Sequence, residues 1–195
     1  MSELRIGIIL GSTRPGRNGA QVADWVLEQA GKRDGVVYEL IDIADYNLPH
    51  LDVAIPASQG LYANEHTRAW AETINSYDGF VMVTPEYNHS TSGALKNAID
   101  FIYAEWNNKA VGFVSYGAAA SGARAVEHLR LIVGELQMAD VRQQVGISLH
   151  TDFENYSTMK PIPHHEAPLA TMFDQLESWS GALRTVRVAS ESVAA

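Results

Sequence analysis

The chain contains no cysteine, which removes disulfides, thiolate zinc sites, iron–sulfur clusters and cysteine nucleophiles at once. No apolar run reaches the roughly 20 residues that a bilayer-spanning helix requires, so no membrane partner is expected. The apolar stretch Ile6–Leu10 is too short for a signal-peptide core, and a cytoplasmic location is the default expectation. Positive charge is scarce: 14 Lys and Arg stand against 23 Asp and Glu, a formal net charge of −9. A nucleic-acid binder needs a basic face to neutralise phosphates, and that class is set aside. No internal repeat, low-complexity tract or interdomain linker is visible.

What remains is an ordinary globular composition, 46% hydrophobic and 19% charged over 195 residues, which suffices for one substantial core. A single domain over 1–195 is expected. Short β-branched runs alternate with amphipathic segments. Leu4–Leu10 is apolar almost throughout and stops at Gly11, the pattern of a strand buried on both faces. Val36–Ile41, Gly79–Thr84, Ala110–Tyr116 and Val141–Leu149 supply four more strands. Helical spacing marks Asn18–Ala30, Glu65–Tyr77, Ser92–Tyr103, a segment carrying Val126, Leu129, Ile132, Val133 and Leu136, and a last helix. That last helix is expected to turn Leu169, Met172, Phe173, Leu176, Trp179 and Leu183 inward before a frayed tail over Ser190–Ala195. Asp42–Asn64 and His150–Glu166 read as long irregular connections. Strands separated by helices imply a parallel sheet covered on both faces, and such sheets bind ligands at the carboxyl ends of their strands.

Three loops at those ends hold unusual residues. The first, Gly11-Ser12-Thr13-Arg14-Pro15-Gly16-Arg17-Asn18-Gly19, joins a buried strand to a helix. Free N–H groups and the positive end of the helix dipole make that junction an anion site, which glycines, hydroxyls and arginines would complete. It lacks the second glycine of G-x-G-x-x-G. It nearly matches G-x-x-x-x-G-K-[ST], but Arg17 and Asn18 stand where the lysine and the magnesium-binding hydroxyl belong.

The second loop runs Thr84-Pro85-Glu86-Tyr87-Asn88-His89-Ser90-Thr91-Ser92-Gly93 and continues as Ala94-Leu95-Lys96-Asn97-Ala98-Ile99-Asp100. The third has Ser115-Tyr116-Gly117 and then Ser121-Gly122-Ala123-Arg124. With these strings the chain resembles the NAD(P)H-dependent FMN reductase family of flavodoxin-like proteins, which includes quinone, chromate and azo-dye reductases. The resemblance spans nearly the whole chain and rests most firmly on PEYN…SGALKNAID.

It implies an α/β flavodoxin-like three-layer sandwich, a five-stranded parallel sheet in the order 2-1-3-4-5 with helices on both faces. It also implies bound FMN, NAD(P)H as co-substrate, a small-molecule electron acceptor, and a homodimer or dimer of dimers with each flavin near the partner subunit. By position, Ser12, Arg14 and the turn Arg17-Asn18-Gly19 would hold the FMN phosphate. Pro85, Glu86, Tyr87 and Asn88 would wrap the isoalloxazine edge, largely through backbone groups. Ser115, Tyr116 and Gly117 would lie against the other side of the ring, with Gly122 permitting close approach. The chain departs from the family pattern at Arg17 and Gly19, where a serine and an asparagine are usual; Arg17 replaces a hydroxyl with charge.

No acid–base pair is nominated as catalytic, because a chain without cysteine or an evident metal site must borrow its redox chemistry from a cofactor. The Glu86 carboxylate is expected to pair with a neighbouring subunit, and His89 is a loop histidine within reach of the site. His164 and His165 are adjacent, so their rings are expected to diverge, and with no third ligand at useful spacing no metal is assigned. Lys96 and Asp100 are four apart and can pair on one helix face, a helix expected at a subunit interface. Trp70 and Trp106 suit either core or interface. An electron carrier without its own NAD(P)H reaction and a non-redox nucleotide binder are the competing functions. The second of these lacks the lysine and hydroxyl that its metal chemistry would need.

Overall fold

A computed structural model describes residues 3–194, with side chains through Ser190. Its centre is one five-stranded sheet in the order β2-β1-β3-β4-β5 with every neighbouring pair parallel. The strands are β1 (Leu4–Leu10), β2 (Val36–Asp42), β3 (Gly79–Pro85), β4 (Ala110–Gly117) and β5 (Ala139–Ser148). β3 and β4 are buried along their whole length, as continuous apolar runs between two helical layers must be.

Strand side chains alternate between faces, and the two cores follow from that alternation. Ile6, Ile8, Leu10, Val81, Val83, Val114 and Tyr116 face one layer, built by α1 (Gly19–Ala30) and α5 (Glu166–Ala194). Ile9, Phe80, Met82, Val111 and Phe113 face the other, built by α2 (Glu65–Asn75), α3 (Gly93–Asp100) and α4 (Ala123–Glu135). Trp70 and Trp106 are both fully buried in the second core. Their indole N–H groups donate to Ala98 O at 2.7 Å and Ile99 O at 3.2 Å, which leaves no polar group unpaired for the apolar area gained.

Four local expectations change. The helix after β3 ends at Asp100 rather than Tyr103. The segment after β5 is not irregular throughout: β6 (Phe153–Glu154) and β7 (Thr158–Met159) form an antiparallel hairpin. Phe153 and Ile162 anchor that segment in the core. Trp179 is 48% exposed rather than inward, because the buried stripe of α5 steps by four from Leu176 to Ser180, which packs on Gly79. The expected frayed tail is helical from Ser190 to Ala194, and Ala195 lies outside the described residues.

The connection 42–64 contains two short 3-10 turns, Ile43–Tyr46 and Ala57–Gln59. It is tied to α3 by Asn97, which donates to Pro49 O at 2.7 Å and accepts from Leu51 N at 3.0 Å. Lys96 and Asp100 pair at 2.5 Å on the same helix.

Candidate functional site

The loops after β1, β3 and β4 meet at the carboxyl edge of the sheet, around the first turn of α1. Asn18 precedes that helix with a helical φ of −64° and makes no side-chain cap. Asn18 therefore supplies no acceptor to the first-turn N–H groups, and the dipole adds a positive end there. Ser12, 1% exposed, places its hydroxyl 3.2 Å from the Tyr87 hydroxyl. It also accepts weakly from Arg14 N at 3.4 Å. Arg14 is exposed, and no ion pair joins it to another described residue.

Arg17 does not stand free beside the loop. Its guanidinium forms a two-pronged pair with Asp42 at the end of β2, one arm at 3.0 Å, and the same Nη1 donates to Ser12 O. Asp42 also accepts from Ala44 N at 2.9 Å. The arginine thus braces the loop from outside. Asn18 likewise turns away from the helix end and donates to Tyr156 O at 2.8 Å. Gln21 donates to Ser157 O at 2.7 Å and accepts from Met159 N at 2.9 Å. The β6–β7 hairpin is thereby strapped to the first loop and helix of its own chain.

Tyr116 departs furthest from the expectation of a ring lying open against a ligand. It is 5% exposed, and its partners place the hydroxyl by Gly19 N and Ser12. Tyr116 shares the α1 side with Val114, whereas Ser115 points to the opposite face and donates to Ser121 O at 2.8 Å. Burial pushes the Tyr116 phenol well above the ordinary tyrosine range, Tyr87 adds to this, and contacts with Ser12 and Gly19 partly oppose it. It stays a neutral hydroxyl at any ordinary pH.

The second loop is built by a tight turn. Tyr87 and Ser90 exchange backbone hydrogen bonds at 2.8 and 3.1 Å. Between them Asn88 and His89 both have positive φ, 49° and 69°, the signature of a type I′ turn. Pro85 is buried as the last residue of β3, and Glu86 N donates to Tyr116 O at 3.1 Å. The Glu86 carboxylate pairs within its own chain, with Arg124 Nε at 2.6 Å. Its Oε2 is buried and has no hydrogen-bond partner among the described residues. A buried carboxylate oxygen costs free energy until something donates to it.

Two contacts not singled out in the sequence complete the frame. Ser92 caps α3 by accepting from Leu95 N at 3.0 Å and donates to Gly11 O. Thr84 and Thr91 join their hydroxyls at 2.8 Å beneath the turn. The preference for serine at a helix N-cap could have marked Ser92; no local pattern marks Asp42.

Gly117 and Gly122 serve each other. A Cβ on Gly117 would stand 2.9 Å from Gly122 N, and one on Gly122 2.6 Å from Ser115 Cβ. Gly122 also has φ +82°. Its lack of a side chain is demanded by its own chain before any ligand is considered. Beside the first loop, a cavity of about 330 Å³ is lined by Thr13, Ile43, Ala44, Asn47, Leu48, Ala94, Asn97 and Ala98.

Outside this site, His164 and His165 do not diverge. The 3-10 turn Pro163–His165 brings their ring centroids to 4.2 Å, and both Nε2 atoms to Asp152.

Comparison with known proteins gives a consistent picture. Residues 4–152 match the family described as NADPH-dependent FMN reductase. An NAD(P)H-dependent FMN reductase of Nectria sp is 35% identical over 158 residues, covering 76% of this chain and 78% of the relative. A quinone reductase of Escherichia coli (strain K12) is 37% identical over 139 residues, covering 68% and 71%. Among solved structures, a flavoenzyme NAD(P)H:(acceptor) oxidoreductase from Paracoccus denitrificans superposes with a TM-score of 0.69 at 19% identity, over 92% of this chain and 98% of that one. That likeness speaks to the fold.

Proposed function

The chain belongs to the NADPH-dependent FMN reductase family, and from that membership we propose that it binds FMN at the loops after β1, β3 and β4. It is an oxidoreductase that carries electrons from NAD(P)H to quinones, free flavin or another small acceptor. The observation that carries the site assignment is the meeting of Ser12, Tyr87 and Tyr116 hydroxyls at the amino end of α1. The whole span 1–195 is read as one FMN-binding unit.

The residues present fit the cofactor. A phosphate needs donors and charge, and the positive amino end of α1, the Ser12 hydroxyl and the exposed Arg14 supply both. Arg17, Asn18 and Gly19 shape that pocket: Arg17 through Asp42, Asn18 through Tyr156, and Gly19 by leaving room for the Tyr116 hydroxyl. Pro85, Glu86, Tyr87 and Asn88 would present backbone groups on the preformed turn to the ring. Glu86 Oε2 in this loop is a buried acceptor that no described residue satisfies. Ser115, Gly117 and Gly122 support this wall from behind. FMN, when bound, supplies the chemistry that links NAD(P)H oxidation to reduction of the acceptor. The chain's own tasks are to bind, orient and exclude water, and none of its side chains is required as an acid or base.

A homodimer, or a dimer of dimers, belongs to the same proposal. Between α3 and α4 lies a groove of about 540 Å³ that includes Lys96, His128 and Ile132, with Leu131 78% exposed at its rim. A cytoplasmic location is proposed as well; among the described residues no helix is long and apolar enough to cross a membrane.

The test is an anaerobic absorbance titration of the FMN-reconstituted chain with NADPH and with NADH. Bleaching of the flavin band by either supports the reductase. A flavin that binds and stays yellow favours the electron carrier, and failure to bind FMN overturns the site.

A further inference from the structure

Asp152, His164 and His165 sit where the β6–β7 hairpin returns to α5. Asp152 is 5% exposed and held from behind: Ser148 N donates to Oδ2 at 2.8 Å and Thr151 Oγ1 to Oδ1 at 3.2 Å. His164 Nε2 lies 3.2 Å from Oδ1, and His165 Nε2 lies 3.1 Å from Oδ2. One ligand atom from each residue falls within 4.8 Å of the others.

The arrangement is unusual for neighbours in sequence. Consecutive side chains on a helical turn point in different directions, yet here the two imidazoles tilt together and aim the same nitrogen at one carboxylate. Donors about 2.0–2.2 Å from an ion at tetrahedral angles stand roughly 3.3–3.5 Å apart. Each histidine nitrogen stands close to that separation from its own oxygen of the Asp152 carboxylate, and all three residues already place one ligand atom within 4.8 Å of the others. The hydrogen bonds from Ser148 and Thr151 are of the kind that orient a ligating carboxylate. The His164 side chain is 60% exposed, which gives an ion an entry path and leaves a coordination position for water.

We propose that Asp152, His164 and His165 form a binding site for a divalent transition-metal ion. Two imidazoles and one carboxylate are a donor set suited to Zn²⁺, Ni²⁺ or Cu²⁺; hard cations such as Mg²⁺ and Ca²⁺ want oxygen ligands only. An ion there clips together residues 13 apart in the chain and closes the base of the hairpin whose far end bonds Asn18 and Gln21. Closing such a loop stabilises the folded state by binding to it alone. The inference is independent of the FMN reading.

The test uses the tag-free full chain, reconstituted with FMN and freed of metal with a chelator, titrated calorimetrically with ZnCl2, NiCl2 and MgCl2. Zinc and nickel are expected to bind one equivalent per chain, magnesium not at all. His164→Ala, at an exposed position, keeps the metal-free melting temperature and weakens zinc by at least about tenfold, since even second-layer partners are worth that much. Asp152→Asn and His165→Ala are expected to weaken it too. Uptake of less than one equivalent, or uptake unchanged in His164→Ala, overturns the proposal in favour of two histidines that merely hydrogen-bond the carboxylate.

Discussion

Replacing Gly122 by alanine separates two reasons for a glycine at the candidate site. A glycine next to a cofactor can be there for the ligand, in which case a methyl group would harm binding and leave the empty protein intact. The geometry says otherwise. At φ +82° an L-residue is strained by about 1–2 kcal/mol. The added Cβ would also stand 2.6 Å from Ser115 Cβ and 2.9 Å from Tyr116 N. The second is backbone in a fully buried strand that cannot rotate away, and overpacking of that kind costs about 1–3 kcal/mol. The smaller chain entropy of unfolded alanine returns about 0.4–1 kcal/mol. Gly122→Ala should therefore destabilise the FMN-free chain by about 2–4 kcal/mol, or about 4–16 °C in Tm for a chain of this size. Urea unfolding followed by circular dichroism, with FMN omitted, measures it directly. A loss below about 1 kcal/mol, accompanied by a large fall in FMN affinity, would refute the packing argument and return Gly122 to the role of admitting the ligand.

Arg14→Ala should weaken FMN by about ten- to hundredfold, the worth of one charge-assisted hydrogen bond, and leave riboflavin unchanged because only FMN carries the phosphate; fluorescence-quenching titrations would show it, and equal losses would make Arg14 structural. Lys109 is buried with its amine donating to Ile74 O at 2.7 Å, and burial lowers its pKa to about 7, with Arg187 adding to the effect. Between about pH 7 and 10.5 the unfolded chain then binds the extra proton, so this residue makes stability rise with pH across that window. Lys109→Met should remove an increment of about 1–3 kcal/mol between pH 6 and 9 in parallel urea titrations, and identical slopes in both proteins would contradict the assignment. His89→Gly should stabilise by about 0.5–1 kcal/mol, since glycine suits the second position of a type I′ turn. A Tm that falls would mean that the His89 side chain makes a contact worth more than the strain.

Much of this molecule could be read from local pattern. The strands at Leu4–Leu10 and Gly79–Thr84 declare themselves because a strand covered on both faces must be apolar throughout. Asn-His between Tyr87 and Ser90 was legible as loop and not as a type I′ turn, because histidine gives little sign of adopting a left-handed backbone. The alternation along β4 shows that Val114 and Tyr116 share a face and that Ser115 does not. It carries no information on which helical layer that face meets. Only the packing of α1 against the sheet sends the Tyr116 hydroxyl to Gly19 and Ser12 and buries the ring.

The same division explains Trp179 and Arg17. A helical stripe predicts an inward tryptophan three residues after Leu176, but Gly79 admits only a small partner, and the buried position passes to Ser180. Arg17 reads as a free phosphate ligand until β2 delivers Asp42 beside it, 25 residues later in the chain. Asp152 with His164 and His165 depends on a hairpin folding back over a turn. Sequence by itself therefore determined the element types, the parallel sheet and the three loops, since these follow from short-range periodicity and turn chemistry. The tertiary structure alone decided which charges are paired, which aromatics are buried and which distant side chains converge, because those outcomes depend on contacts between segments whose separation along the chain carries no local signal.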